Sequence, residues 1–200
     1  MKKILYIFIA LAFFACKDEK KNTPTAAEEA TAQKEATTTN EQEEEKEEEL
    51  PILTGIQTLE AISSAPYDRW YEPNYSDYSV DVSTLDKIPW TKDKLSIKIF
   101  MGTWCEDSQR EVPRFFNILD NIYLLLKDTN AYDYELITVD RDKVTPEHLE
   151  DGYNITNVPT FIFYRNGKEI NRIVESPVIS LEKDMLSILS GEDYKHIYAE

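Results

Sequence analysis

Histidine, cysteine and glycine are the scarce residues of this 200-residue chain, with two, two and five copies respectively. The two histidines, His148 and His196, stand at metal-ligand spacing neither to each other nor to a cysteine, so no metal site and no cofactor are expected. Five glycines make no phosphate-cradling loop and no nucleophile elbow, which sets nucleotide binding and serine-hydrolase chemistry aside. Positive charge is also short: 22 Lys and Arg oppose 38 Asp and Glu, a net charge of −16. Phosphate backbones are held by clustered Lys and Arg, and no basic stripe occurs, so nucleic acid is not an expected partner. No apolar run reaches the ~20 residues that span a bilayer.

What is present falls into zones. Residues 1–15 hold two lysines and then an apolar run from Ile4 to Ala15, the pattern of a signal peptide. The run closes on Phe13-Phe14-Ala15-Cys16, which resembles the lipobox of bacterial lipoproteins. That resemblance implies that Cys16 is lipidated, becomes the mature N-terminus and anchors the chain to a membrane. Cleavage near Ala15 without lipid, or an uncleaved anchor, would leave Cys16 a thiol. Lys17-Asp18-Glu19 is similar to the signal that carries some lipoproteins to the outer face of the outer membrane, so the expected place is the bacterial outer membrane, periplasm-facing or surface-exposed. Residues 16–50 follow as an acidic tether, with 5 basic and 12 acidic side chains from Lys17 onward and hardly any large apolar ones. Such a stretch cannot bury enough surface to fold and acts as a solvated spacer or an acidic recognition tail.

Residues 51–94 form an N-terminal extension. Ile56, Leu59 and Ile62 recur at helical spacing, Pro66 interrupts, and Tyr67, Trp70, Tyr71, Tyr75 and Tyr78 crowd together. These aromatics read as a collar packed against the core, with a peptide-binding platform as the other reading. A short helix is predicted over 83–88.

From Leu95 the pattern becomes that of alternating strands and helices. Leu95 to Phe100 reads as a central strand, and residues 105–127 as a long helix that Pro113 should kink. Residues 134–139 and 160–164 read as strands, with Pro146 opening a short helix between them. Lys168–Val174 returns as an antiparallel edge strand, and a last helix with Leu181, Met185, Leu186 and Leu189 on one face stops at Gly191. A core over 95–200 of this size is expected to stand alone.

Cys105 lies where the central strand passes through Gly102 into the long helix. Unpaired N–H groups and the positive end of the helix dipole favour an anion at such a place, hence a thiolate over a thiol. Glu106 and Asp107 oppose this by charge, or simply stabilise the first helical turn. If Cys16 carries lipid, Cys105 is the one thiol left, and no disulfide can close within a chain. The plain alternative is a buried, inert cysteine.

Three motifs in register carry a resemblance. Trp104 and Cys105 with Pro113 eight residues on, then Asn157-Val158-Pro159-Thr160-Phe161, then the turn Arg165-Asn166-Gly167-Lys168, together resemble the thioredoxin family. The resemblance implies an α/β fold: a thioredoxin-like mixed central sheet with helices on both faces, here plus the N-terminal helical and aromatic extension. It implies that Cys105 is the attacking thiol, that Trp104 walls it, and that Val158, cis-Pro159 and Thr160 face it across a substrate groove. Two departures bear on chemistry. Ser108 stands where the family has its second cysteine, and Ile99 where it often buries an Asp to serve that cysteine. Gln109 also replaces a common lysine, with Arg110 one step later. The expected activity is thiol–disulfide exchange through Cys105 alone, with protein or small-molecule thiols as partners. The competing reading is a binding or assembly module without redox turnover. A monomer and a Cys105-linked dimer are both compatible with the sequence.

Overall fold

Side chains that alternate between two faces fix the centre of the molecule. In the computed structural model, which describes residues 49–90, 95–127 and 132–199, strand β2 (Leu95–Met101) turns Leu95, Ile97, Ile99 and Met101 to one face and Phe100 to the other. The expected signal peptide, Cys16 and the tether up to residue 48 lie outside the described residues. Among those described, no helix is long and apolar enough to cross a membrane.

The five-stranded sheet has the order β1-β3-β2-β4-β5, built from β1 (Gly55–Gln57), β2, β3 (Tyr132–Thr138), β4 (Thr160–Arg165) and β5 (Lys168–Val174). Strands β2 and β3 are parallel, in register Ile99 to Leu136, and every other pair is antiparallel. The β4–β5 hairpin turns through Asn166 and Gly167 at φ 52° and 78°, the left-handed pair that a type I′ turn demands. This is the mixed sheet that the three motifs implied.

The larger core lies on the face of Ile97 and Ile99. Helix α4 (Glu106–Leu126) lays Val112, Phe115, Ile118, Leu119 and Ile122 against it, and helix α5 (Leu181–Ser190) adds Met185, Ile188 and Leu189. Phe115 meets Phe161 and Phe163 of β4 at ring separations of 4.4 and 6.2 Å. Outside α4 sits the extension: α1 (Leu59–Ser63), α2 (Asp68–Ser76) and the one-turn α3 (Val82–Leu85). Tyr67, Trp70 and Tyr71 are buried in the same core, joined ring to ring at about 6 Å.

Several boundaries differ from the sequence reading. Ile56, read as the first residue of a helical stripe, lies in β1 and is 59% exposed, because the extension also supplies the edge strand of the sheet. A border at 94/95 therefore cuts through the sheet. The helix predicted over 83–88 is a single turn ending at Leu85, and β3 begins two residues early, at Tyr132. Helix α4 runs unbroken through Pro113. Pro146 does not open a helix: residues 146–153 form successive turns, with His148 and Asn154 in the left-handed region at φ 55° and 53°. This irregular chain supplies the cover of the second face, where Leu149, Tyr153 and Ile155 pack on Phe100, Ile137 and Ile162.

Candidate active site

The end of β2 and the start of α4 meet at residues 101–106. Gly102 is needed there by close approach: a Cβ at this position would lie 2.6 Å from Cε2 of Trp104. The indole folds back over the turn and donates from Nε1 to the Val139 carbonyl at 3.0 Å, while the Arg141 guanidinium stacks over its face at 5.4 Å. Residue Cys105 is the N-cap of α4, with extended backbone, and its carbonyl accepts the first helical bond from Gln109 N–H at 2.9 Å.

The cysteine is half-buried, and its thiol donates to the Val158 carbonyl at 3.2 Å. The Val158–Pro159 peptide is cis. Residues far apart in the chain brace this loop. Thr160 Oγ1 donates to the Asn157 carbonyl at 2.7 Å, Asn157 Nδ2 donates to Glu175 Oε1 at 3.0 Å, and the Glu175 N–H donates to the Pro159 carbonyl at 2.6 Å. The hydroxyl of Tyr198, near the C-terminus, donates to the other Glu175 oxygen. That bond, more than burial or the neighbouring charges of Glu175 and Asp107, raises the Tyr198 phenol above its ordinary range.

Ser108 is fully buried under the thiol's turn, where its Oγ accepts from Gly102 N–H at 3.2 Å. Gln109 Nε2 donates to the Thr103 carbonyl at 2.7 Å, a further clasp on the same turn. Arg110 ties the helix start to the bend just after β5: it pairs with Asp107 and Glu111, both at 2.6 Å, and donates to Ser176 Oγ at 3.2 Å. Asp107 thus faces a partner cation instead of standing as free charge beside the cysteine. Pro113 and Ile99 are buried below in the main core, away from the surface.

The structure brings Cys105, Val158 and Pro159 into one place, with Trp104 on one flank and Thr160 holding the loop from beneath. Sequence reasoning did not find Glu175, Val139 or Ser176; nothing in the residue pattern marks them, since each acts through hydrogen bonds to distant parts of the chain. Also unforeseen is a groove of about 550 Å3 that Trp104 lines together with Glu49, Arg69, Trp70, Glu106 and Arg141. His148, Glu150 and Asp151 bring ligating atoms within 4.8 Å of one another, a proximity that spacing alone did not suggest. Glu150, however, is committed to Thr145, accepting from its N–H at 2.9 Å and its hydroxyl at 2.8 Å.

No family model matches the chain. Over 90 residues it is 31% identical to TPR repeat-containing thioredoxin TDX of Arabidopsis thaliana, an alignment that covers 45% of this chain and 21% of the plant protein. Over 92 residues it is 30% identical to Thioredoxin-1 of Schizosaccharomyces pombe, covering 46% of this chain and 78% of the yeast protein. The chain thus spans about a fifth of the plant relative's length and most of the yeast relative's. Among solved structures it is similar to Plasmodium falciparum thioredoxin, with 24% identity, a TM-score of 0.30, and 42% and 72% of the two chains covered. It is also similar to a Pseudomonas aeruginosa protein of unknown function, with 15% identity, a TM-score of 0.43, and 62% and 81% covered.

Proposed function

This chain belongs to the thioredoxin family, and from that membership we propose that it exchanges thiols and disulfides through Cys105 alone. The observation that carries the reading is the thiol's position 3.2 Å from the backbone oxygen of Val158, in the loop of the cis proline. A disulfide-bearing peptide that lies extended along this loop can pair with backbone groups there while its sulfur meets Cys105. The Cys105 thiolate attacks one sulfur of the substrate disulfide. The S–S bond breaks, the second sulfur leaves with the electron pair, and a mixed disulfide remains on Cys105.

In a dithiol protein a neighbouring cysteine would now displace the substrate. Ser108 holds that position with a hydroxyl that is not a nucleophile toward disulfides and is bonded to Gly102. Ile99, fully buried, offers no proton acceptor beneath it. Both departures remove the same half-reaction, so release falls to an external thiol, from a protein or a small molecule. The lipidated Cys16 anchors the chain to the outer membrane, facing the periplasm or the surface, and the acidic tether holds the domain off the lipid.

The test is mass spectrometry of the chain carrying Cys16→Ser after exposure to a small disulfide. A single adduct on Cys105, removed by excess thiol, is expected, and Cys105→Ser takes none. Ser108→Cys should form an internal 105–108 disulfide instead. Absence of any adduct on Cys105 would overturn the exchange reading and leave the site as a noncovalent binding module.

A further inference from the structure

The chain has six arginines. Four are engaged: Arg110 with Asp107 and Glu111, Arg114 with Glu111, Arg172 with Glu169, and Arg165 with the Leu189 carbonyl. The other two, Arg69 on α2 and Arg141 after β3, are exposed and form no ion pair among the described residues. Both line the same groove as Trp104. In a protein of net charge −16, two uncommitted guanidiniums sharing one cavity stand against the general field.

Arg141 is held in place by stacking on the Trp104 ring at 5.4 Å. Trp70, 8% exposed, lines the same cavity, and its indole N–H is a buried donor without a partner among the described residues. Planar guanidinium forks match carboxylates, so the two arginines are suited to an anion with two oxygens. Glu49 and Glu106 also line the groove and disfavour a second anion there. Trp104 and Glu106, the two chain neighbours of Cys105, both line the cavity, while Cys105 itself lines the adjoining loop of Val158.

We propose that the groove of Arg69, Trp70 and Arg141 is a carboxylate subsite, and that the disulfides exchanged at Cys105 carry one carboxylate on the half that the protein retains. The inference rests on the exchange reading and names its substrate class. In the step itself, Cys105 takes the carboxylate-bearing sulfur, the S–S bond breaks, and the other half departs as a thiolate with the electron pair.

The test is a charge series of small aliphatic disulfides on the full chain carrying Cys16→Ser: dithiodipropionate, bis(2-hydroxyethyl) disulfide and cystamine, which are dianionic, neutral and dicationic. The protein's net charge alone would favour cystamine. The subsite instead makes dithiodipropionate react about fivefold faster than the neutral analogue, the size that two exposed guanidinium–carboxylate contacts give. Arg69→Gln with Arg141→Gln abolishes that advantage, and each single change removes part of it. In Cys105→Ser protein, dithiodipropionate shifts the indole N–H signals of Trp70 and Trp104 and leaves that of Trp90, which donates to the Leu85 carbonyl, in place. Adducts that form without charge preference, or a preference that survives both arginine changes, overturn the subsite and leave exchange standing. Indole shifts without any adduct support the subsite and overturn exchange, and no shift at either indole overturns the subsite.

Discussion

Gly102 and Ser108 decide the shape of the turn that presents Cys105. Any side chain at 102 collides with the Trp104 indole at 2.6 Å, and the ring cannot retreat without giving up its bond to Val139. Gly102→Ala is therefore expected to cost about 1–3 kcal/mol as an overpacked site, seen in denaturant melts, and to move the Trp104 indole signal; an unchanged signal would argue against the contact. Ser108→Ala strands the Gly102 N–H in a buried place, a loss of about 1–3 kcal/mol. Ser108→Cys keeps a weak acceptor there and should be the milder change. If Ser108→Ala is the more stable of the two, the 3.2 Å bond does not matter to the turn. Cys105, Trp104, Pro113 and the Val158–Pro159 pair were legible one by one, as motif positions. Their supports, Glu175 and Ser176, were not, because a hydrogen bond between distant segments leaves no local pattern.

At the scale of elements, α3 and α5 show how capping fixes the extension. Asp81 caps α3, taking bonds from the Thr84 hydroxyl, the Ser83 hydroxyl and the Thr84 N–H, and these hold its carboxyl down at about 2 from 3.8. A carboxyl lowered by folding stabilises the native state above its unfolded value and loses that contribution as acid is added. Thermal midpoints of the parent and of Asp81→Asn should therefore converge between pH 4 and pH 2, and a difference that stays constant across that window would remove the cap from the account. The first turn of α5 adds a second tie. Glu182, 1% exposed, accepts from Tyr78 Oη at 2.9 Å and from Asp81 N–H at 3.1 Å, joining segments a hundred residues apart. Glu182→Ala leaves two part-buried donors unpaired and should loosen residues 67–85 first, read as faster amide exchange there than in β2 or β4. Uniform exchange throughout would contradict this. The apolar face of α5 was visible in the sequence; the partners of its acidic first turn across the chain were not.

For the molecule as a whole, the consequence concerns independence. A core over 95–200 looked sufficient, yet Tyr67, Trp70 and Tyr71 are buried in the same cluster as Ile97 and Phe115, and β1 closes one sheet edge. Three such aromatics at about 1.5–3 kcal/mol each are comparable with the ~5–15 kcal/mol that holds a domain together. A chain starting at Leu95 is expected to melt without cooperativity and to bind a hydrophobic dye, whereas one starting at Leu50 melts sharply. Cooperative melting of the shorter chain near the longer one's midpoint would restore the self-sufficient core.

The sequence by itself determined the family and the mixed sheet, because alternation in strands, a glycine before the cysteine, an Asn-Gly hairpin and a proline loop are local signals that any thioredoxin-like chain must write into neighbouring residues. It also holds Ser108 where the family has its second cysteine, a departure that is the same in every conformation. Only the tertiary structure reveals that the extension supplies an edge strand of the sheet, that turns rather than a helix cover the second face, and that Arg69 and Arg141 line one cavity with Trp104. Those facts depend on contacts between segments far apart in the chain, and periodicity carries no information about which distant surface a face will meet.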